Sequence, residues 1–167
     1  PQGRQYLELK VVLILDLLQN VAKGGWERPV YFANTVSPNA FLGLDKFFRL
    51  EGLAYRILPL DNTPAKGGND PYFPRFPGAP ELDLMYDNMV GKFRYTNLNK
   101  EDVYYDENIL RMLSNYHATF HRLVNGHLTA ANTLGVQNAA LRDSITANAD
   151  NPELVAQLEQ QVKDNDA

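Results

Sequence analysis

Val30-Tyr31-Phe32-Ala33-Asn34-Thr35-Val36 and Leu53-Ala54-Tyr55-Arg56-Ile57-Leu58-Pro59-Leu60 are the two stretches that decide the fold. Both are rich in β-branched and aromatic residues and are bounded by Pro, Gly or Ser, the pattern of mostly buried strands. Pro29 stands at the entry of the first, where a missing N–H does least harm. Between them, Ser37-Pro38 offers a helix N-cap and a first helical residue, and Gly43 delays the regular helix until Leu44. Leu44, Phe47, Phe48 and Glu51 then lead to Gly52 as a C-cap. Strand, helix and strand in so short a span predict a small parallel βαβ unit with a right-handed crossover.

Upstream, Leu7, Val11, Ile14, Leu15, Leu18 and Val21 share one helical face, so residues 7–22 read as a helix that stops at Gly24-Gly25. Downstream, residues 61–80 are dense in Pro and Gly and form a long irregular loop, in which Tyr72, Phe73 and Phe76 are expected to pack. A short amphipathic helix over 81–90 and a connection over 92–99 follow. The clearest periodicity starts at the N-cap Asp106 and runs through Ile109, Leu113, Tyr116, Phe120, Leu123, Val124, Leu128, Ala131 and Leu134. Gly135 is expected to interrupt it, leaving further helices over 136–147 and, after Asn151-Pro152, over 152–163. The fold class is therefore α/β: a small parallel βαβ unit flanked by helices over 1–104, followed by a C-terminal helical, repeat-like segment over 105–167.

Composition bounds the function. Hydrophobic residues are 44% and charged residues 22% of the 167, the ordinary balance of an ordered globular chain. Net charge is −4 and the sixteen Lys and Arg are scattered, so neither a nucleic acid nor an anionic membrane surface is the expected partner. No cysteine is present, which removes disulfides, thiolate metal sites and thiol nucleophiles. The longest apolar run, from Val11, is broken by Asp16 and is far shorter than the roughly 20 residues a spanning helix needs. The chain opens on Pro1 without a signal-peptide pattern and reads as a piece of a longer or processed protein.

Catalytic motifs are weak. His117 and His121 are spaced as two zinc ligands on a helix would be, but His117-Ala118-Thr119-Phe120-His121 lacks the intervening general-base Glu and His127 falls off their face. They read as exposed or packing residues, and no metal or cofactor is assigned. The carboxylate pairs Asp45 and Glu51, Glu81 and Asp83, and Asp102 and Asp106 have no separation that sequence can fix. Lys66-Gly67-Gly68 lacks the ending of a phosphate loop, and no nucleophile elbow or dinucleotide fingerprint is present. No catalytic residue is assigned.

The most specific feature is Trp26-Glu27-Arg28-Pro29-Val30-Tyr31-Phe32-Ala33 taken with the Gly43 to Pro59 stretch, which contains Leu50-Glu51-Gly52-Leu53-Ala54-Tyr55-Arg56. Together they resemble the C-terminal soluble region of the bacterial protein O-mannosyltransferase-like family, multi-spanning membrane proteins of glycosyltransferase type C character. Only Phe48 replaces the commoner aromatic choice, and the likeness extends through Met85-Tyr86-Asp87-Asn88-Met89, Lys92-Phe93-Arg94-Tyr95-Thr96-Asn97 and Tyr105-Asp106-Glu107-Asn108. The resemblance implies glycan transfer at the outer, periplasmic face of the inner membrane, from a lipid-linked donor, with the acidic catalytic residues on a loop of the membrane portion. It implies a non-catalytic extracytoplasmic accessory domain for acceptor or glycan recognition or for assembly, whose partners are the membrane portion of the same parent chain and an acceptor protein or glycan.

Two readings of the quoted residues stand side by side. In one, Trp26, Tyr31 and Phe32 pack, Arg28 pairs with a carboxylate such as Glu51, and Gly52 caps a helix. In the other, Trp26, Arg28, Tyr31, Glu51, Tyr55 and Arg56 line a ligand site at the edge of the βαβ unit, where aromatic faces and forked cations suit a sugar or an acidic peptide. The alternative function is a protein interaction module built on the helices after Asp106.

Overall fold

The computed structural model describes residues 8–61 and 77–166. The Lys66-Gly67-Gly68 stretch, Tyr72, Phe73, Phe76 and Leu7 lie outside the described residues. The chain divides into two compact units, residues 1–123 and 124–167.

In the first unit, helix α1 (Leu9–Lys23) ends as its glycines dictate. Gly25 and Trp26 both take left-handed φ, +69° and +62°, and the Trp26 N–H returns to the Val21 carbonyl at 3.0 Å. A left-handed tryptophan is costly. Packing of its indole against the core offsets that cost.

The sheet is small and mixed, in the order β1-β3-β2-β4, with β1 (Tyr31–Ala33), β2 (Phe48–Leu50), β3 (Ala54–Ile57) and β4 (Ala79–Pro80). The mixed α/β class therefore holds, but the expected parallel βαβ unit does not. β1 runs antiparallel to β3, with Tyr31 opposite Arg56 and Ala33 opposite Ala54. The segment expected to be the crossover helix is a 3-10 turn over Asp45–Phe47 followed by β2. Two features decide against a helix there. Phe48 and Leu50 are buried while Arg49 between them is not, a period of two that seats a strand and not a helix. Only Glu51, Gly52 and Leu53 separate β2 from β3, which suffices for a hairpin and falls far short of the dozen or so residues of a parallel crossover. Gly52 is accordingly a hairpin-turn residue at φ +121°, not a helix cap. The parallel neighbours are β2 and β4, with Arg49 opposite Ala79 and Leu50 opposite Pro80, and the proline sits on the edge strand.

One face of this sheet builds the core. Phe48 and Tyr55 stack with centroids 5.3 Å apart and rings 11° from parallel, and Phe41 meets Phe48 edge-on at 5.0 Å. Met85 and Met89 close the cluster from the segment after β4. There, α2 (Leu82–Tyr86) continues as one π-helical stretch, Asp87–Lys92, which runs two residues past the single short helix expected over 81–90. Asn88 of the π stretch donates to the Glu51 carbonyl at 2.8 Å, tying it to the hairpin turn.

α3 (Glu107–Ala147) begins where its N-cap predicts, with Asp106 Oδ1 accepting from the N–H groups of Asn108 and Ile109 at 2.8 and 3.0 Å. It runs through Gly135 without a break, so the separate helix expected over 136–147 is its continuation. A single glycine costs a helix only about 1 kcal/mol. In the second unit, α4 (Pro152–Asp166) starts on Asn151, whose Oδ1 accepts from the Leu154 N–H at 3.3 Å.

Gly78 is held at φ +83° beside β2, and a Cβ there would fall 2.9 Å from the Phe48 carbonyl oxygen. Gly43 has a similar φ of +74° but open space around it. Gly78→Ala is expected to cost about 2–4 kcal/mol and Gly43→Ala about 1–2 kcal/mol in urea unfolding, the difference being the backbone clash. Equal losses would show that the approach to β2 is not tight.

Candidate functional site

The face of the sheet opposite the aromatic core carries a row of polar side chains. Tyr31 of β1, Arg56 of β3 and Arg49 of β2 are successive cross-strand neighbours. Two arginines directly opposite one another repel. The residue that resolves the conflict is Glu51, the first after β2, whose side chain is 5% exposed. Arg49 donates to Glu51 Oε1 through Nε at 2.9 Å and also through Nη2. Arg56 Nη1 stands 3.7 Å from the same oxygen, and the Tyr31 hydroxyl donates to Oε2 at 2.9 Å. The outer fork of Arg49 reaches Glu81 Oε2 at 3.2 Å. Two cations and two anions thus balance across one patch. The arginine side chains keep 25% and 32% of their surface, and Tyr31 keeps 46%.

The Tyr31 hydroxyl is held above the ordinary tyrosine pKa, first by partial burial, then by its hydrogen bond to Glu51 and by that carboxylate's charge; Arg56 and Arg49 oppose the shift. Glu51 acts here as a saturated acceptor. It binds two guanidinium groups and a phenol, an arrangement that fixes side chains and leaves little scope for proton transfer.

The six candidate residues do not form one site. Tyr31, Glu51 and Arg56 come together. Tyr55 lies on the opposite face of the sheet, buried in the aromatic core. Trp26 packs against that core as well. Arg28 is exposed and lines a shallow cleft of about 270 Å³ with Leu17, Asn20 and Glu27. The expected Arg28–Glu51 pair does not form, because Arg49 and Arg56 occupy that carboxylate. Among the described residues, Arg28 makes no ion pair. The sequence reading missed Arg49, and it set Glu81 beside Asp83 instead of Glu51. Arg49 alternates with Phe48 and Leu50, a period-two signal that would have placed it beside Glu51 on the outer face. Glu51 and Glu81 share Arg49, a carboxylate pair different from any of those suggested by proximity in sequence. His117, His121 and His127 are exposed on α3.

Residues 2–71 match a family model, TMEM260-associated domain 2. The matched stretch takes in α1, β1, β2 and β3, and with them Tyr31, Arg49, Glu51 and Arg56. Glu81 and everything after it fall outside the match. No curated protein and no solved structure gives a significant match.

The Tyr31 hydrogen bond predicts an alkaline limb in stability. Below about pH 9 the phenol is protonated in both folded and unfolded chains, and the stabilisation is fully present. As pH rises further the unfolded chain ionises first, and the contribution is lost by the time the folded Tyr31 titrates. Between about pH 9 and pH 11 the stability gap between wild type and Tyr31→Phe is expected to narrow in urea unfolding. A gap that stays constant or widens would mean that Tyr31 does not donate to Glu51 as described.

Proposed function

We propose that the chain is a non-catalytic extracytoplasmic accessory domain of a membrane-bound glycosyltransferase-like protein, placed on the periplasmic face of the inner membrane. Its role is to recognise acceptor or glycan with the outer face of the sheet, and its standing partner is the membrane portion of the same parent chain. The observation that carries this reading is the Tyr31–Glu51–Arg49–Arg56 network. It is pre-organised and part-exposed, and it lies inside the stretch that matches TMEM260-associated domain 2. The Arg56 guanidinium, held only through Nη1 at 3.7 Å, offers donors to neighbouring hydroxyls, and the exposed Tyr31 ring offers an apolar face, a combination suited to a sugar. The resemblance to the protein O-mannosyltransferase-like family supplies the transfer system that such a domain would serve.

Calorimetric and NMR titration of the whole chain with mannosyl and glucosyl oligosaccharides tests the reading. Arg56 is the loosest member of the network, so Arg56→Gln is expected to weaken binding about tenfold with the thermal midpoint nearly unchanged. Saccharide-induced shifts that avoid residues 31, 49 and 56 would sink the site. Sugar transfer or hydrolysis by this chain alone, lost on Glu51→Gln, would sink the non-catalytic assignment.

A second reading, a helical protein interaction module, draws on residues 124–166. Among them the single buried side chain is the polar Asn138, which donates to Asp166 Oδ1 at 2.7 Å and accepts from Asn165 Nδ2 at 2.8 Å. Val124, Leu128, Leu134 and Val136 remain exposed. Leu141, Ile145, Leu154, Leu158 and Val162 are only half-buried, and helices whose apolar seam is so incompletely covered are marginal in water. Amide exchange over 124–166 is therefore expected to be orders of magnitude faster than at Phe48, Tyr55 and Ile57 in the isolated chain. Equal protection would remove the case for an absent partner.

A further inference from the structure

A cavity of about 430 Å³ opens on the aromatic side of the first unit, between the loop that follows β1 and the first turns of α3. Asn34 and Ser37 stand on one wall, Arg111 and Asn115 on the other, and Phe41 and Tyr55 form the floor. The volume is in the range of ordinary ligand pockets.

Its chemistry is one-sided. Among the described residues none that lines it is acidic, although the chain as a whole carries a net charge of −4. Arg111 is exposed and, among the described residues, makes no ion pair, so its guanidinium fork is available to a carboxylate. Asn34 is restrained by donating through Nδ2 to Thr119 Oγ1 at 3.5 Å, while its Oδ1 has no donor among the described residues. Asn34 and Asn115 each bring an amide that can donate and accept, the complement of a peptide backbone.

The floor discriminates between ligand classes. A sugar ring would need a bare aromatic face to stack on. Phe41 and Tyr55 are only 4% and 1% exposed, committed to Phe48 and to one another, and they offer apolar edges. A single cation is too little for a nucleic acid backbone.

We propose that this cavity binds an extended acidic polypeptide segment, its side-chain carboxylate on Arg111 and its backbone amides on Asn34 and Asn115. The inference goes beyond the recognition role proposed for the sheet face, and it stands on different residues. The whole chain is titrated by NMR and calorimetry with a capped pentapeptide bearing a central Glu, with its Gln counterpart, and with glucuronic acid. Shifts are expected at residues 34–37 and 111–115, with the Gln peptide about tenfold weaker. Arg111→Gln, an exposed change whose folding circular dichroism verifies, should remove that preference; Asn115→Ala should weaken both peptides alike. Equal affinity for Glu and Gln peptides, glucuronate bound as tightly as the peptide, or no binding at millimolar concentration overturns the proposal. Oligosaccharide binding at Tyr31 and Arg56 that survives Arg111→Gln separates failure of this inference from failure of the other.

Discussion

The burial of one carboxylate at the β2–β3 turn is the constraint on which the first unit depends. The short connection Glu51-Gly52-Leu53 makes a hairpin unavoidable, and the hairpin's register sets Arg49 against Arg56. Unscreened, that juxtaposition would open the strands. Glu51 stands at the one position that shares their face and lies within reach of both, and its own desolvation is compensated by three donors. Replacing it would leave two cations facing each other under partial burial, a loss of about 1–3 kcal/mol once the arginines' solvent exposure is allowed for. The turn, the register and the polar cluster are therefore one arrangement.

The opposite face of the same strands is apolar for the same geometric reason. Alternation sends Phe48, Leu50, Tyr55 and Ile57 inward wherever Arg49, Glu51 and Arg56 point outward. A slip of one residue would bury two arginines and expose the stacked rings. The Asn88 bond to the Glu51 carbonyl and the packing of Phe93 over Gly52 fix the turn from the side of the π-helical stretch, so the hairpin cannot slide without breaking contacts made by a different segment. Short strands gain in this way a register that their few ladder bonds would specify weakly.

How much of this the sequence discloses depends on the range of the interaction involved. The end of α1 at its glycines, the Asp106 cap and the Asn151 start of α4 are local, and the residues that make them lie within one turn. The existence of strands at 31–33 and 54–57 is also legible, because β-branched and aromatic residues cluster there. Strand direction was not. Leu44, Phe47, Phe48 and Glu51 satisfy helical spacing, while Phe48 and Leu50 satisfy a strand, and a short apolar run cannot choose between the two periods. The helical choice then carried Gly52 into the wrong role and Arg28 into the wrong pair. Of the six candidate residues, those on the polar face met and those with aromatic bulk went to the core, because side-chain parity along a strand separates Tyr55 from Arg56 whatever their sequence neighbourhood.

That parity also bears on where binding is possible. In the first unit the rings that would attract a sugar in isolation, Phe48 and Tyr55, are already consumed by each other, so aromatic content there reports on packing. Groups left for recognition are those that the fold restrains without saturating: the Arg56 guanidinium with the Tyr31 ring on one side, and the Asn34 and Asn115 amides with Arg111 on the other. The first set is tuned by a neutralising carboxylate and suits an uncharged, hydroxyl-rich ligand, whereas the second has no carboxylate among the described residues and suits an anion. The two faces of one small sheet thus separate two chemistries, and the separation follows from Glu51 lying on the outer face alone.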